Sequence, residues 1–173
     1  MKTATRINLI LFIFFFYGFF IYISAAKAQE GESDRVLSAT ESLFKAMEEK
    51  NYNNIWGFLT KKSKGIIIDD VSKEILKQKV QISSKQIEED FDSSGPLAKA
   101  YWDSFLFQFD PKMVLEHSSW KLKLMEKQYA EVEILYKQSK LPAIIKVFQE
   151  NGQWKIGLEE SFRTRRWTFN QLF

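Results

Sequence analysis

The chain contains no cysteine and only one histidine in its 173 residues. Without cysteine it cannot form disulfide bonds, a thiolate metal site or a lipid anchor attached through a lipobox cysteine. The sequence also lacks a glycine-rich phosphate loop, a serine-centred nucleophile elbow and His/carboxylate metal spacing. We therefore predict a domain that holds no metal and no cofactor and that depends on its hydrophobic core for stability.

Charge is nearly balanced, with 25 Lys and Arg against 22 Asp and Glu, but it is unevenly distributed. Residues 1–28 carry Lys2, Arg6 and Lys27 and no acidic residue, which leaves equal numbers of basic and acidic residues in 29–173. A nucleic-acid binder with a uniformly basic surface is therefore excluded. A single domain of this length can bury about 70% of its unfolded surface.

The N-terminal residues have the pattern of a signal peptide. Lys2 and Arg6 precede an uncharged, mostly apolar stretch over residues 9–26, and Ala26 and Ala28 provide the small residues that a signal peptidase reads. We predict cleavage after Ala28 and export to the periplasm or the exterior, with a bacterial envelope as the simplest setting. The alternative is an inner-membrane anchor formed by residues 9–26, which at 18 residues are just short of the roughly 20 of a spanning helix.

Helical periodicity dominates the first half of the remaining chain. Apolar residues recur at three- and four-residue spacing over 33–50, which predicts a helix that Ser33 caps and that Asn51 ends in a left-handed conformation. A short helix with Asn53 as a possible cap follows, and another is predicted to open at one of the aspartates at 69–70.

Turn-forming residues divide the middle of the chain. Residues 83–91 are acidic and compatible with a helix or an ordered loop, and 92–96 form the strongest internal break because four turn-formers precede a proline. The predicted helix over 97–109 is aromatic around much of its circumference, which favours burial on more than one side. Asp110 and Pro111 predict the cap and first residue of a further short helix.

Alternating apolar residues then predict four strands, in runs over 120–125, 130–136, 143–148 and 154–158. Asn151-Gly152 between the last two runs is a strong hairpin signal, because both turn residues need positive φ. Helices followed by such a meander predict an α+β fold with N-terminal helices packed on a curved, about four-stranded antiparallel sheet.

Two stretches resemble a known superfamily. Residues 41–47, followed by Asn51-Tyr52, Trp56 and Leu59-Thr60, are similar to the opening helices of the nuclear-transport-factor-two-like or cystatin-like superfamily, which includes ketosteroid isomerases and polyketide cyclases. Residues 151–156 resemble its final hairpin. The resemblance implies a cone-shaped fold with an interior pocket in an exported bacterial member. It also implies dimerisation through the open sheet face and, in the enzymes, a carboxylate base or an Asp–His pair with tyrosine donors.

Candidates for such chemistry are few. His117 lies between Glu116 and Ser118, a setting more typical of a boundary residue than of a base. Tyr101 and Asp103 on the aromatic helix could face a pocket, although tyrosine among Trp and Phe is usually core. The two aspartates at 69–70 point in different directions on a helix and fit a cap better than a cation site. We assign no catalytic residue and favour a protein that is not an enzyme.

The aromatic residues allow two interpretations. They could line a cavity for an apolar ligand, or they could form a large ordinary core, which their secondary-structure period already explains. The second interpretation is favoured, and a cone whose interior is incompletely filled would accommodate both. The candidate pocket residues are Trp56, Tyr101, Trp102, Phe105, Trp120 and Trp154.

The chain from residue 29 to 173 is predicted to be a single domain with an ordered core over about 33–162. Its tail, 161–173, combines aromatic residues with Arg163, Arg165 and Arg166. These arginines could contact an anionic lipid surface or an acidic partner. The alternative, which we favour, is the end of the last strand with a solvated basic face.

Three classes of function remain. The favoured class is an exported, non-catalytic module that binds a small apolar ligand or a protein partner, with a homodimer through the sheet face as one form of the latter. The alternatives are an isomerase- or cyclase-like enzyme that uses a cone pocket and an N-terminally anchored envelope assembly protein. A cavity of several hundred cubic ångströms would favour a ligand or a substrate, and a wide apolar sheet face would favour assembly. Contact with a membrane is expected only through the leader or the basic tail.

Overall fold

The computed structural model describes residues 31–162. The predicted signal peptide with Ala26 and Ala28 lies outside these residues, and so do Arg163, Arg165 and Arg166. The chain divides into two units between residues 35 and 36. Of the first unit, residues 31–35 are described and are helical. Apart from the first residues of helix α1, everything below concerns the second unit.

The first two helices share a tight connection. Helix α1 covers residues 31–48, so Ser33 lies inside the helix and the prediction that it is the N-cap was wrong. Lys50, not Asn51, takes the left-handed conformation, with φ 53°. The side chain of Asn51 instead accepts from the N–H of Asn54 at 3.2 Å and caps α2, Tyr52–Phe58, so the prediction of Asn53 as the cap was also wrong. Because Asn51 accepts this bond, it is held in the conformation of an N-cap for α2. The left-handed residue that follows α1 is therefore its neighbour Lys50.

Helix α3, Lys61–Lys77, begins well before the aspartates at 69–70, which the sequence had placed at its start. The reason is Thr60, whose side chain accepts from the N–H of Ser63 at 3.0 Å and caps the helix. Its buried stripe continues past the aspartates through Ile67, Ile68, Val71 and Ile75.

The predicted break and the helix after it are confirmed, and the stretch before it, for which a helix and an ordered loop were both open, is helical. Residues 84–92 form α4, Ser84–Asp92, with a capping box between Ser83 and Gln86. Helix α5, Pro96–Gln108, starts with proline in its first turn. Asp110 caps α6, Pro111–His117. No helix within residues 31–162 is long and apolar enough to cross a membrane.

The second half forms the predicted antiparallel sheet. Its strands are β1, Ser118–Met125; β2, Tyr129–Tyr136; β3, Ala143–Glu150; and β4, Gln153–Gly157, hydrogen-bonded in that order. Asn151 and Gly152 have φ of 52° and 76°, as the hairpin between β3 and β4 requires. The α+β fold with a curved four-stranded sheet is thus confirmed.

The chain turns into a helix after β4. Helix α7, Leu158–Phe162, replaces the strand that was predicted to continue through residues 161–162, and that prediction was wrong. The Ser161 hydroxyl donates to the carbonyl of Gly157 at 2.6 Å and accepts from the N–H of Lys146 at 2.8 Å. These two bonds hold the turn of α7 against β3.

Burial alternates along the central strands and gives the sheet two different faces. The inner face carries apolar residues such as Val132, Ile145 and Val147, which join the core. We call the opposite side the outer face. It is formed by Ser119, Lys121, Lys123, Leu124, Tyr129, Glu131, Glu133, Leu135, Ile144, Lys146, Phe148 and Lys155.

Candidate ligand pocket

A pocket of about 500 Å³ lies where the outer face meets α3 and α7. Strands β2 and β3 contribute residues from the outer face, α3 contributes residues from its first two turns, and α7 contributes two consecutive glutamates. The lining residues are Lys62, Ile66, Tyr129, Lys146, Phe148, Glu159 and Glu160.

An aromatic pair forms the apolar part of this pocket. Tyr129 and Phe148 are register partners on β2 and β3, and their ring centroids are 5.2 Å apart. Gly157 on β4 makes room for the second ring, because a Cβ at that position would lie 2.7 Å from Cε2 of Phe148. Glycine at position 157 is therefore what allows the Phe148 ring to lie at this place.

The phenol of Tyr129 is fixed in its neutral form. Its hydroxyl donates to Oε1 of Glu131 at 2.6 Å. Burial and, second, this hydrogen bond raise the pKa of Tyr129 to about 12. The bonds from Tyr129 and from the Lys123 ammonium, at 3.0 Å, lower the pKa of Glu131. The carboxylate beside the aromatic pair is therefore already engaged.

A hydrogen-bond network holds the polar side of the pocket. The hydroxyl of Thr60 donates to Oε1 of Glu160 at 2.9 Å, and the hydroxyl of Ser63 donates to Oε2 at 2.5 Å. The Ser63 hydroxyl also accepts from the N–H of Glu159 at 3.0 Å. We call this arrangement the Thr60–Ser63–Glu160 network. It places a carboxylate at the N-terminus of α3, where the helix dipole favours negative charge.

Glu159 is the one buried acidic residue within residues 31–162, with 6% of its surface exposed. Burial and, second, the charge of Glu159 raise the pKa of Tyr101. Glu159 therefore contributes to the pocket lining and also exerts its field on an aromatic residue of the core.

Two lysines complete the lining. Lys62 comes from the first turn of α3 and Lys146 from the middle of β3. Within residues 31–162 neither ammonium forms a hydrogen bond or an ion pair. Neighbouring lysines differ: Lys123 binds Glu131 at 3.0 Å, and Lys155 donates to the carbonyl of Gly57 at 2.7 Å.

The aromatic residues that the sequence singled out lie elsewhere. All six belong to the hydrophobic core or pack against it, and none lines the pocket described above. Tyr101, Trp102 and Phe105 contact one another along α5, with centroid distances of 4.8 and 5.7 Å. Trp120 meets Phe44 at 5.0 Å. Their packing matches the core interpretation.

The remaining two tryptophans of that set are also buried. Trp56 donates its indole N–H to Asp92 at 2.7 Å, and its ring packs at a tilt against Phe91 with the centroids 4.7 Å apart. Trp154 lies on the inner face of β4. The hypothesis that these residues line a ligand cavity stays a prediction.

The acidic and imidazole candidates have structural surroundings. His117 ends α6, with 43% of its side chain exposed and Nε2 3.9 Å from Glu116. Asp103 accepts from the hydroxyl of Tyr52 at 2.7 Å and from the ammonium of Lys50 at 3.1 Å, which links the start of α2 to α5. These bonds, that from Tyr52 first, lower the pKa of Asp103.

The aspartates at 69–70 lie within α3. Within residues 31–162 no group of three or more His, Asp or Glu side chains could hold a metal ion.

The sequence interpretation missed the residues that build the pocket. Thr60 and Ser63 have cap spacing, and the glutamates at 159–160 directly follow the last apolar strand, so both signals are visible in the sequence. Neither signal indicates that the two segments meet. That requires the bridge between Leu59 and Ile156 and the bond from the N–H of Thr60 to the carbonyl of Ile156, which bring the start of α3 to the end of β4.

Comparison with known proteins adds no assignment. The chain has no significant match among protein-family models, curated proteins or solved structures.

Proposed function

We propose that this protein is an exported, non-catalytic module that binds a small ligand with an apolar body in the pocket between the outer face, α3 and α7. The observation that carries this proposal is a pocket of about 500 Å³ with a paired aromatic surface. Ligand pockets typically measure about 300–1,000 Å³ and combine apolar walls with a few polar groups. Export remains the prediction from the leader, and the resemblance to the cystatin-like cone is consistent with a binding role.

The outer face supports a ligand more than a protein partner. Lys121 pairs with Glu133 at 2.8 Å, and Lys123 pairs with Glu131 at 3.0 Å, so charged rows occupy the surface that a homodimer would bury. Lys and Glu are depleted at the centres of protein interfaces. We therefore place dimerisation through this face below ligand binding.

The test uses N-phenyl-1-naphthylamine, an uncharged probe that fluoresces in apolar sites, with protein isolated after export. We expect saturable binding by the native protein. Phe148→Ala should weaken binding about threefold to tenfold, because Phe148 is already half-buried and a ligand covers only part of a side chain whose full burial contributes about 1.5–3 kcal/mol, 1.4 kcal/mol being a factor of ten.

The matched control is Phe107→Ala, since Phe107 is 85% exposed and lies outside the pocket lining. Its probe affinity should equal that of the native protein. Absence of saturable binding, or equal weakening by both substitutions, would contradict the proposal. Phe148→Leu keeps an apolar side chain at this position and disturbs the fold less than Phe148→Ala. A loss of probe affinity that this variant shares is therefore not caused by unfolding.

An isomerase-like enzyme is the second candidate, favoured by one observation. Glu159 is a buried carboxylate in the pocket lining, which is the placement a general base needs. A β,γ-unsaturated ketosteroid should then gain the absorbance of the conjugated enone, and Glu159→Gln should abolish the conversion. If the native protein gives no conversion above buffer, this candidate is excluded for that substrate class.

A further inference from the structure

We propose that the ligand of this pocket is an anionic amphiphile, whose acidic head group binds between Lys62 and Lys146 while its apolar body packs on Tyr129 and Phe148. This inference rests on the proposed function and adds the chemical class of the ligand. The head group is defined by shared chemistry: a carboxylate, sulfonate or phosphate that two ammonium groups can neutralise.

The distribution of hydrogen bonds carries the proposal. Four charged side chains line the pocket, two acidic and two basic. Both carboxylate oxygens of Glu160 accept hydroxyl hydrogen bonds from Thr60 and Ser63. Glu159 is 94% buried, since only 6% of its surface is exposed. The acidic groups are thus bonded or buried, while the two ammonium groups keep their donors available to a ligand.

The acidic side chains next to Lys146 leave its ammonium group available to a ligand. Its cross-strand neighbour Glu131 already accepts from the Tyr129 hydroxyl at 2.6 Å and from the Lys123 ammonium at 3.0 Å. Glu133 is held by Lys121 at 2.8 Å. Each nearby outer-face glutamate therefore has a hydrogen-bonded partner other than Lys146, although the charge of Lys146 also helps to lower the pKa of Glu131.

The two lysines come from different elements of the pocket lining. Lys62 belongs to α3 and Lys146 to β3. A ligand whose apolar part lies on the rings therefore has one ammonium group from the helix and one from the sheet within the same pocket lining. Lysine acts as a mobile point charge, so the two ammonium groups can pair with an acidic group without demanding one head-group geometry.

Two probes that differ by one sulfonate test this. 1-Anilinonaphthalene-8-sulfonate is N-phenyl-1-naphthylamine with an added anionic group. Both are titrated into the native protein, Lys62→Gln, Lys146→Gln, the double variant and the control Lys99→Gln, an exposed lysine of α5 outside the pocket lining. Each pocket substitution should weaken sulfonate binding about threefold, because a solvent-accessible ion pair contributes about 0.2–1 kcal/mol.

The double variant should lose about tenfold in sulfonate affinity and should bind the uncharged probe within twofold of the native protein. Added salt should lower the affinity for the sulfonate probe and leave the affinity for the uncharged probe unchanged. Unchanged sulfonate affinity in the double variant overturns the inference, and the proposed function survives if the uncharged probe still binds. Failure of the native protein to bind either probe overturns both.

A second experiment distinguishes a membrane lipid from a soluble amphiphile as the source of the head group. Protein is floated with vesicles of phosphatidylcholine containing phosphatidylglycerol. Flotation that the double variant loses would assign the head group to a membrane lipid, and sulfonate binding without flotation would assign it to a soluble amphiphile. Both results support the anionic class, whereas flotation equal in the native protein and the double variant contradicts a role for the two lysines.

Discussion

The side chain of Ser63 offers the sharpest test of the structure. Its hydroxyl is fully buried, donates to Glu160 and accepts from the backbone N–H of Glu159. Ser63→Ala removes one oxygen without disturbing helix α3, for which alanine is favourable. Two groups at the start of α7 then lose their partner.

The expected cost follows from those two groups. A buried polar group left without a partner costs about 1–3 kcal/mol, and bonds to charged groups are at the upper end. Because Glu160 keeps its bond from Thr60, we expect Ser63→Ala to lower the free energy of unfolding by about 2–4 kcal/mol. That is a large share of the roughly 5–15 kcal/mol of a typical domain.

Urea unfolding followed by tryptophan fluorescence measures this loss, with the slope checked for two-state behaviour. Ser38→Ala on the exposed side of α1 is the matched control and should change the free energy by less than about 0.5 kcal/mol. Glu160→Gln completes a double-mutant cycle, in which we expect a coupling free energy of about 1–2 kcal/mol with Ser63. A loss below about 0.5 kcal/mol, or strict additivity, would refute the network.

Three further predictions concern other parts of the molecule. Asp103 has a lowered pKa, so its stabilising effect is present above the unfolded carboxyl's pKa near 4 and is lost as the pH falls through the lower folded value. Tyr52→Phe should therefore cost up to about 1 kcal/mol at pH 7 and almost nothing near pH 2 in urea titrations; a constant difference would contradict this. Gly157→Ala should displace the Phe148 ring, lower the free energy of unfolding by about 1–3 kcal/mol and weaken naphthylamine binding, whereas unchanged binding would place the ring elsewhere. Gly152→Ala should cost about 1 kcal/mol, because φ is 76° there, and an equal or higher thermal midpoint would exclude this turn geometry.

The strand pattern and the hairpin were predictable because both depend on short-range spacing. Asn151-Gly152 is a local signal, and its positive φ values agree with the prediction. The helix starts were less predictable. Asn51, Asn53 and Ser33 are all acceptable caps by residue type, and only the path of the chain decides which side chain meets an orphan N–H group.

The pocket could not be predicted for a different reason. Attention to large aromatic residues led to Trp102 and its neighbours, which pack in the core. The residues that line the pocket are less conspicuous in the sequence, and they come from α3, two strands and α7. Phe148 itself ends an apolar run that fits a buried strand, and its exposure to the pocket depends on which face it occupies.

The sequence by itself determined the α+β class, the order of helices before strands and the main break at 92–96, because periodicity, turn residues and proline act over a few positions. Tertiary structure alone decided that Thr60 and Ser63 meet Glu160, residues nearly one hundred positions apart. It also decided that the glutamates of the outer face are engaged while Lys62 and Lys146 keep their donors available. Such pairings depend on strand register and on how α7 folds back onto α3, and a shift of one residue would turn every side chain to the other face.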